Sequence, residues 1–550
     1  MLKLATILDN PGEPPVQTRY RDPNELAQLG YNGTVLYETT ALSGVPSPDA
    51  IKDPEIRSWL NQTWSKLDQQ IEANTHAGLQ TYLFYDLLTL AADTVEGNAS
   101  NLCCRGHADT LCPASNEAWD RITHALNALI ERYPNIAGIV LRFGDNDAQR
   151  LPHLLGNDLY TPHCSRCADA TPADRIVHAA ERCYNVITNK HNKTTILRAW
   201  NVRPNGLHDT AELAAAVVPR LPQANDNKLI LSFKFTQTDF WRYQAWNPAS
   251  LACGAVPILY ELQCQREFEA KGATPNAQTA LWRDGYPETQ NPNQPQGLAQ
   301  VAQRIPLAGL WAWVRGGGWG GPFIKDETWI DANAYAVPKL ADQPDADPHQ
   351  LALDWATQRL DLKDSDPLIP ILADILNRSP EMIRQAFYIG PFARLKPSPW
   401  HPNADWIEDD AIDAQAAWRL IQRLPLTDLD AVLDEKTAAA DTASKLLAQL
   451  KEALRDRDHQ TIEPLLGSLV YTESLIETIR DLFAGLIAYR RYNHSKSPKD
   501  AEATRKALYH AQSHWNHHTQ RLNAYRQIPT PFRETGFWDL TQEILTNLHQ

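Results

Sequence analysis

Eight short, almost wholly apolar runs recur through the first 315 residues, each followed by a longer segment of different periodicity. They read "LATIL", "GTVLYE", "QTYLFYD", "IAGIVLRF", "TTILRAW", "KLILSFKF", "VPILYELQ" and "LAGLWAW". A strand with one wet face alternates apolar and polar residues, whereas a strand buried on both faces is apolar nearly throughout. The intervening segments carry helical stripes. "AWDRITHALNALIERY" puts Trp119, Ile122, Ala125, Leu126, Leu129 and Ile130 on one face. "ADRIVHAAERCYNVITN" does the same with Ile176, Ala179, Ala180, Cys183 and Val186. Doubly buried strands alternating with helices mean parallel strands under a helical cover. Eight of them predict an α/β fold, a (β/α)8 TIM barrel. The competing arrangement is an open doubly wound sheet, but the first βα turn lacks the G-x-G-x-x-G of a dinucleotide-binding sheet.

The pattern changes near residue 345. "SKLLAQLKEALRD" carries Leu446, Leu447, Leu450 and Leu454 on one stripe. "SLVYTESLIETIRDLFAGLIAYRRY" carries Leu469, Leu475, Ile476, Ile479, Leu482, Phe483, Leu486 and Ile487. Residues 1–344 are therefore read as the barrel and catalytic domain, and residues 345–550 as an all-helical C-terminal domain packed on it. The stripes are too broad for a lone coiled coil. They suit a core within one chain or the interface of a homodimer.

Composition removes several classes of function. Net charge is −14, and no Lys/Arg-rich block offers the basic face that nucleic acid requires. No stretch of about 20 apolar residues exists to span a membrane. The opening "MLKLATILDNPGEPP" lacks the charged and apolar regions of a signal peptide, so the expected location is the cytoplasm. Two methionines are too few for an adaptable Met-lined groove.

In a barrel, polar residues at the C-terminal ends of the strands converge on one mouth. The third run ends on Asp86. The fourth offers Arg142, Asp145 and Asp147, the fifth Arg198, Trp200 and Asn201, and the sixth Lys234, Gln237 and Asp239. The seventh offers Glu261, Gln263 and Glu267, and the eighth Trp313, Arg315 and Trp319. Tryptophan faces stack on the C–H surface of a sugar, carboxylates carry acid/base chemistry, and cations hold an anionic substituent. Each residue also has a plainer reading. Asp145 could cap a helix, an arginine could pair with a neighbouring acid, and "RGGGWGG" could be a turn. The recurrence at five consecutive strand ends is what points to a site for an oligosaccharide. In "YELQCQREFE", Glu267 is read as a base, Glu261 as lining the site or holding a cation, and Glu269 as a solvated loop residue.

The sequence assigns no cofactor and no metal. "HCSRC" is a C-x-x-C, and "CCRGHADTLC" could add two thiolates, so Cys103, Cys112, Cys164 and Cys167 would suit structural zinc. The second cluster lacks C-x-x-C spacing. Buried thiols, or a disulfide in an exported protein, are the alternatives.

Lys234 is followed five residues on by Asp239-Phe240. Glu261-Leu262-Gln263 is followed by Arg266-Glu267, and Arg198-Ala199 lies on the fifth strand. Trp319 in "GGWGG" precedes "DANAYAVPKLA", with Asn333 and Tyr335. In combination, over roughly residues 130–360 and the helical tail, these resemble the α-glucuronidases of glycoside hydrolase family 67. The resemblance implies an inverting exo-acting hydrolase that releases a uronic acid. It implies that Asp239 and Glu267 orient and deprotonate the water, and that Arg198 and Lys234 bind the uronate carboxylate. The chemistry is consistent with this: inversion needs an acid on one face of the sugar and a base with its water on the other, and a planar guanidinium grips a carboxylate with two bonds.

The chain also departs from that pattern. The family's general acid is a glutamate after the fourth strand, and here the nearest match is Asp145, or else Asp147. The lysine before that acid is missing, and Arg142 is the nearest cation. The family's N-terminal domain has no counterpart ahead of the first strand. A divergent member is therefore expected. The alternatives are a hydrolase of the same fold acting on a neutral or amino sugar, with Arg198 paired to a protein carboxylate, and a non-catalytic carbohydrate-binding barrel.

Overall fold

The computed structural model describes residues 1–9, 15–144, 151–222, 228–316, 326–395, 400, 407–408, 411–455, 457, 459–524, 533–535 and 537–548. Its centre is a closed barrel of eight strands: β1 (Leu2–Leu8), β2 (Gly33–Leu36), β3 (Gln80–Asp86), β4 (Gly138–Gly144), β5 (Thr194–Asn201), β6 (Leu229–Lys234), β7 (Ile258–Gln263) and β8 (Leu307–Gly316). Neighbours follow chain order, β8 closes on β1, and every pairing is parallel. Each of the eight apolar runs falls on one of these strands, as a (β/α)8 barrel requires.

The closing pair of strands carries a local irregularity. Thr6 is opposite Trp313 but Ile7 is opposite Arg315, so Val314 is an extra residue on β8. Such a bulge bends a strand and re-aims the side chains beyond it. Gly316 then passes β1 with φ +86°, and a β-carbon there would lie 1.8 Å from the Leu8 carbonyl oxygen. Only glycine fits that approach.

Helices α1 (Pro54–His76), α2 (Asn116–Arg132), α3 (Pro172–Tyr184) and α4 (Thr328–Asp342) cover the barrel. Their starts are encoded locally. Asp53 caps α1, Ser115 caps α2, and Thr171 and Asp174 form a reciprocal capping box on α3. All six predicted residues of the α2 stripe are buried. So are Ile176, Ala179, Ala180 and Cys183 on α3, while Val186 lies partly buried in a π-helical continuation over Asn185–Lys190.

Helices α5 (Pro348–Arg359), α6 (Leu368–Phe387), α7 (Leu429–Ala453), α8 (His459–Ser495) and α9 (Pro498–Ala524) form the C-terminal region. The predicted apolar stripes of α7 and α8 are buried, and α8 packs against both α7 and α9. Ser468 on α8 pins this layer to the barrel. Its hydroxyl accepts from Trp329 Nε1 at 2.6 Å and donates to the Ala273 carbonyl at 2.8 Å. No helix among the described residues is long and apolar enough to cross a membrane.

Candidate active site

The last inward-facing layer of the barrel is charged. In strand register Asp86 neighbours Arg142, Arg142 neighbours Arg198, Arg198 neighbours Ser232, and Lys234 neighbours Glu261. Two cations thus stand side by side on β4 and β5, and each takes a carboxylate. Arg142 donates from Nε and Nη2 to the two oxygens of Asp86 at 2.6 and 2.9 Å, and from Nη1 to the Tyr37 hydroxyl at 2.9 Å. Arg198 donates from Nε and Nη2 to Glu261 at 3.0 and 3.1 Å, and Ser232 Oγ donates to the same carboxylate at 2.8 Å. All four charged residues are buried. Two-pronged pairs of this kind fix geometry, and breaking one strands a charge away from water. Of the two roles read for Glu261, the structure has it holding a cation. Arg198 is paired to a protein carboxylate.

Lys234, at the end of β6, sits in an aromatic box. Its Nζ lies 3.6 Å from the Trp200 ring centroid, 4.5 Å from that of Phe240 and 5.3 Å from that of Trp313. Contact with ring faces favours a cation. The same Nζ donates to Asp239 Oδ1 at 2.6 Å, and the Phe240 N–H donates to that oxygen at 2.8 Å. Oδ2 takes neither bond. The Asp239 side chain is 17% exposed against 3% for Lys234, so the carboxylate is the member of the pair that solvent reaches.

The loop after β7 is strained. Arg266, Ala270 and Lys271 all have positive φ (59°, 62° and 48°) without being glycine. Such conformations cost free energy and persist only where surrounding contacts enforce them. Arg266 supplies those contacts. It donates from Nε and Nη2 to Glu269 at 2.9 and 2.8 Å, and Nη2 also donates to the Phe240 carbonyl at 2.6 Å. Burial alone would lower the proton affinity of Arg266, but the adjacent Glu269 carboxylate outweighs it and raises it instead. Glu269 is therefore no solvated loop residue: it is 1% exposed and locked to Arg266. Glu267 is buried on the same loop, with its N–H donating to Gln263 Oε1 at 3.0 Å. Gln263 Nε2 and Trp313 Nε1 are buried polar groups with no hydrogen-bond partner among the described residues.

The helical region reaches this mouth. The Tyr388 hydroxyl donates to Glu269 Oε1, and burial beside that carboxylate pushes the phenol well above its usual range. Trp400 stacks on Trp200 with centroids 5.7 Å apart and planes 17° from parallel, and its Nε1 donates to Asp209 Oδ2 at 2.8 Å. Trp200 is thereby covered, so it holds Lys234 and Trp400 rather than standing open as a platform. His208 meets Trp200 edge-on at 4.9 Å, with Nε2 at 3.2 and 3.1 Å from the carbonyls of Thr236 and Thr238. Burial, reinforced by the Lys234 charge, depresses this histidine to about 3, so it is neutral.

The structure thus gathers Asp86, Arg142, Trp200, Arg198, Lys234, Asp239, Glu261 and Glu267 at the C-terminal end of the barrel. Asp145, Asp147 and Trp319 lie outside the described residues. The sequence reading gave Arg266 no role of its own, placed Glu269 in solvent, and did not single out His208, Tyr388 or Trp400. Only Arg266 and Glu269 had a local signal, their opposite charges three residues apart. Cavities of about 350 and 430 Å³ lie elsewhere, one between β1, β2 and α1 and the other beside the start of β6, and neither touches Asp239 or Glu267.

No family model matches the sequence, and no curated protein matches it. Among solved structures, a GH138 enzyme targeting pectin rhamnogalacturonan II aligns over 100% of this chain and 83% of its own, with a TM-score of 0.55 at 12% identity. The Thermobaculum terrenum O-GlcNAc hydrolase aligns over 100% of this chain and 94% of its own, with a TM-score of 0.42 at 10% identity. At these identities, the first likeness is one of fold.

Proposed function

We propose that the chain is a glycoside hydrolase working at the C-terminal mouth of the barrel, with Asp239 and Glu267 as the groups that orient and deprotonate water. The observation that carries this is the Arg266–Phe240 hydrogen bond, which ties the turn bearing Asp239 to the strained turn bearing Glu267. Two acids from different strands are then held on adjoining turns, one of them open to solvent. In this reading the water proton passes to the Asp239/Glu267 pair as the water oxygen bonds to the anomeric carbon. An acid from the segment after β4, Asp145 or Asp147, protonates the departing glycosidic oxygen, and the configuration inverts. No resident metal or cofactor is assigned to these steps.

The sugar we assign first is a uronic acid or related acidic residue at the end of an oligosaccharide, with Lys234 as the cation nearest the reacting groups. The GH138 neighbour, which targets a pectin, supports a carbohydrate of that class. A second reading, a neutral or amino sugar, is favoured by the pairing of both Arg142 and Arg198 with protein carboxylates. The test is a panel of acidic, neutral and amino-sugar oligosaccharides, with the released anomer followed by NMR. Wild type should release one class of sugar, while Asp239→Asn and Glu267→Gln should each turn over about 10²–10⁴-fold more slowly. Binding without turnover would replace the hydrolase with a carbohydrate-binding barrel. Turnover indifferent to both substitutions would remove these residues from the chemistry.

A further inference from the structure

Away from the strand ends, four thiols converge. Cys104 lies on a hairpin in the loop after β3, formed by Cys103–Cys104 and His107–Leu111, and Cys112 follows that hairpin directly. Cys164 and Cys167 lie in the loop after β4. Their sulfurs are 3.9 Å apart for Cys104 and Cys167, 3.9 Å for Cys112 and Cys164, and 3.7 Å for Cys164 and Cys167, and all four lie within 4.8 Å of one another. These separations are far too long for disulfides, whose sulfurs sit about 2.05 Å apart. They match the edge of a tetrahedron. Ligands at about 2.3 Å from a central zinc ion are separated by about 3.8 Å. A polynuclear iron–sulfur cluster spreads its thiolates wider than this.

We infer that Cys104, Cys112, Cys164 and Cys167 bind a single structural zinc ion that staples the loop after β3 to the loop after β4. The surroundings suit thiolate ligands. Arg166 Nε points at Cys112 Sγ at 3.3 Å, and the N–H groups of His163 and Cys164 point at Cys167 Sγ at 3.3 and 3.4 Å. Donors of this kind orient ligand sulfurs and offset their charge. Arg166 Nη2 also donates to the Cys103 carbonyl at 2.7 Å, joining the two loops a second time. Three of the four cysteines form a buried cluster separate from the main core, with Cys164 packed against it, so the metal replaces apolar packing that this corner lacks. Four protein ligands leave no open position, as in a structural rather than a catalytic site.

The ligand set differs in one member from the sequence expectation. Cys103 is not in the four-sulfur group; Cys104 takes its place. The Cys103 sulfur lies 3.2 Å from the Ala108 carbonyl within the hairpin, while that of Cys104 joins the cluster.

The experiment is elemental analysis and X-ray absorption on the full chain, purified without chelator under reducing conditions and supplied with zinc. The expected result is about one zinc per chain with four sulfur neighbours near 2.3 Å. Cys112→Ser and Cys167→Ser should fall below about a tenth of that occupancy, with Cys103→Ser unchanged. Chelation should open the two stapled loops, residues 87–115 and 151–171, to protease before the rest of the chain. Iron in place of zinc, nitrogen or oxygen neighbours, disulfides among these cysteines by mass spectrometry, or failure of wild type to take up zinc would each overturn the assignment. The wild-type measurements decide the matter even if a variant fails to fold.

Discussion

Arg266 Nη2 donates to the Phe240 carbonyl at 2.6 Å while the same guanidinium grips Glu269. One side chain therefore fixes the conformation of its own strained loop and the distance of that loop from the turn carrying Asp239. The two tasks separate by mutation. Arg266→Met leaves Glu269 buried without its cation and should cost about 3–5 kcal/mol in urea unfolding. Arg266→Met combined with Glu269→Gln should recover most of that stability. It does not restore the bond to Phe240, so kcat should stay about 10–100-fold below wild type. Full recovery of kcat in the double variant would show that the inter-turn bond has no part in positioning the acids.

The Arg198–Glu261 pair separates the two sugar assignments. Glu261→Gln should destabilise by about 3–5 kcal/mol, since Arg198 stays charged and buried. Arg198→Lys keeps the charge but loses the planar fork. If the fork also serves a substrate carboxylate, KM for acidic glycosides should rise about tenfold more than KM for neutral ones. An unchanged KM, or an equal change with neutral glycosides, would favour a neutral or amino sugar.

His208 sets a limit on acid stability. Its folded value is about 3 because of burial and the Lys234 charge, against an ordinary 6.5. As pH falls from 6.5 toward 3 the unfolded chain takes up a proton that the native imidazole refuses. Stability is thus full above pH 6.5 and is lost progressively below it, on the order of 5 kcal/mol across the window. His208→Asn should flatten that part of the curve of unfolding free energy against pH. A slope that persists undiminished would assign the acid sensitivity to other groups.

Lys436 acts in an alkaline window. It is buried on α7, its Nζ donating to the carbonyls of Gln385 and Tyr388 at 2.7 and 2.5 Å, and burial lowers it from 10.5 to about 7. Between those values the unfolded chain binds a proton and the folded one does not. Stability therefore rises with pH from about 7 to 10.5. Lys436→Met should remove that rise, and chemical denaturation at pH 7 and pH 9.5 reads the difference.

The barrel was legible because parallel strands buried on both faces leave unbroken apolar runs, and "KLILSFKF" and "LAGLWAW" could be little else. The helices were legible for a similar reason, since Trp119 to Ile130 repeat at helical spacing along one buried stripe. Strand-end reasoning located Lys234, Asp239, Glu261 and Glu267, because the C-terminal end of a barrel strand is fixed once the strand is. It was silent on partners. Nothing local says that Arg142 pairs with Asp86 rather than with a ligand, because that depends on register between strands 56 residues apart. Glu269 was misjudged because the positive φ of Arg266, which swings the two side chains together, leaves no mark in composition. Tyr388 and Trp400 were beyond reach, as each enters the mouth from a segment whose pattern reads only as helix and loop. Cys104 lost out to Cys103 in the sequence reading because adjacent cysteines are told apart only in the folded hairpin.

The Trp400–Trp200 stack also bears on the order of events during synthesis. All eight barrel strands have left the ribosome well before Trp400 is made, yet the Trp200 ring stays without its stacking partner until that residue arrives. A nascent chain halted after β8 would hold a finished scaffold with an unfinished mouth.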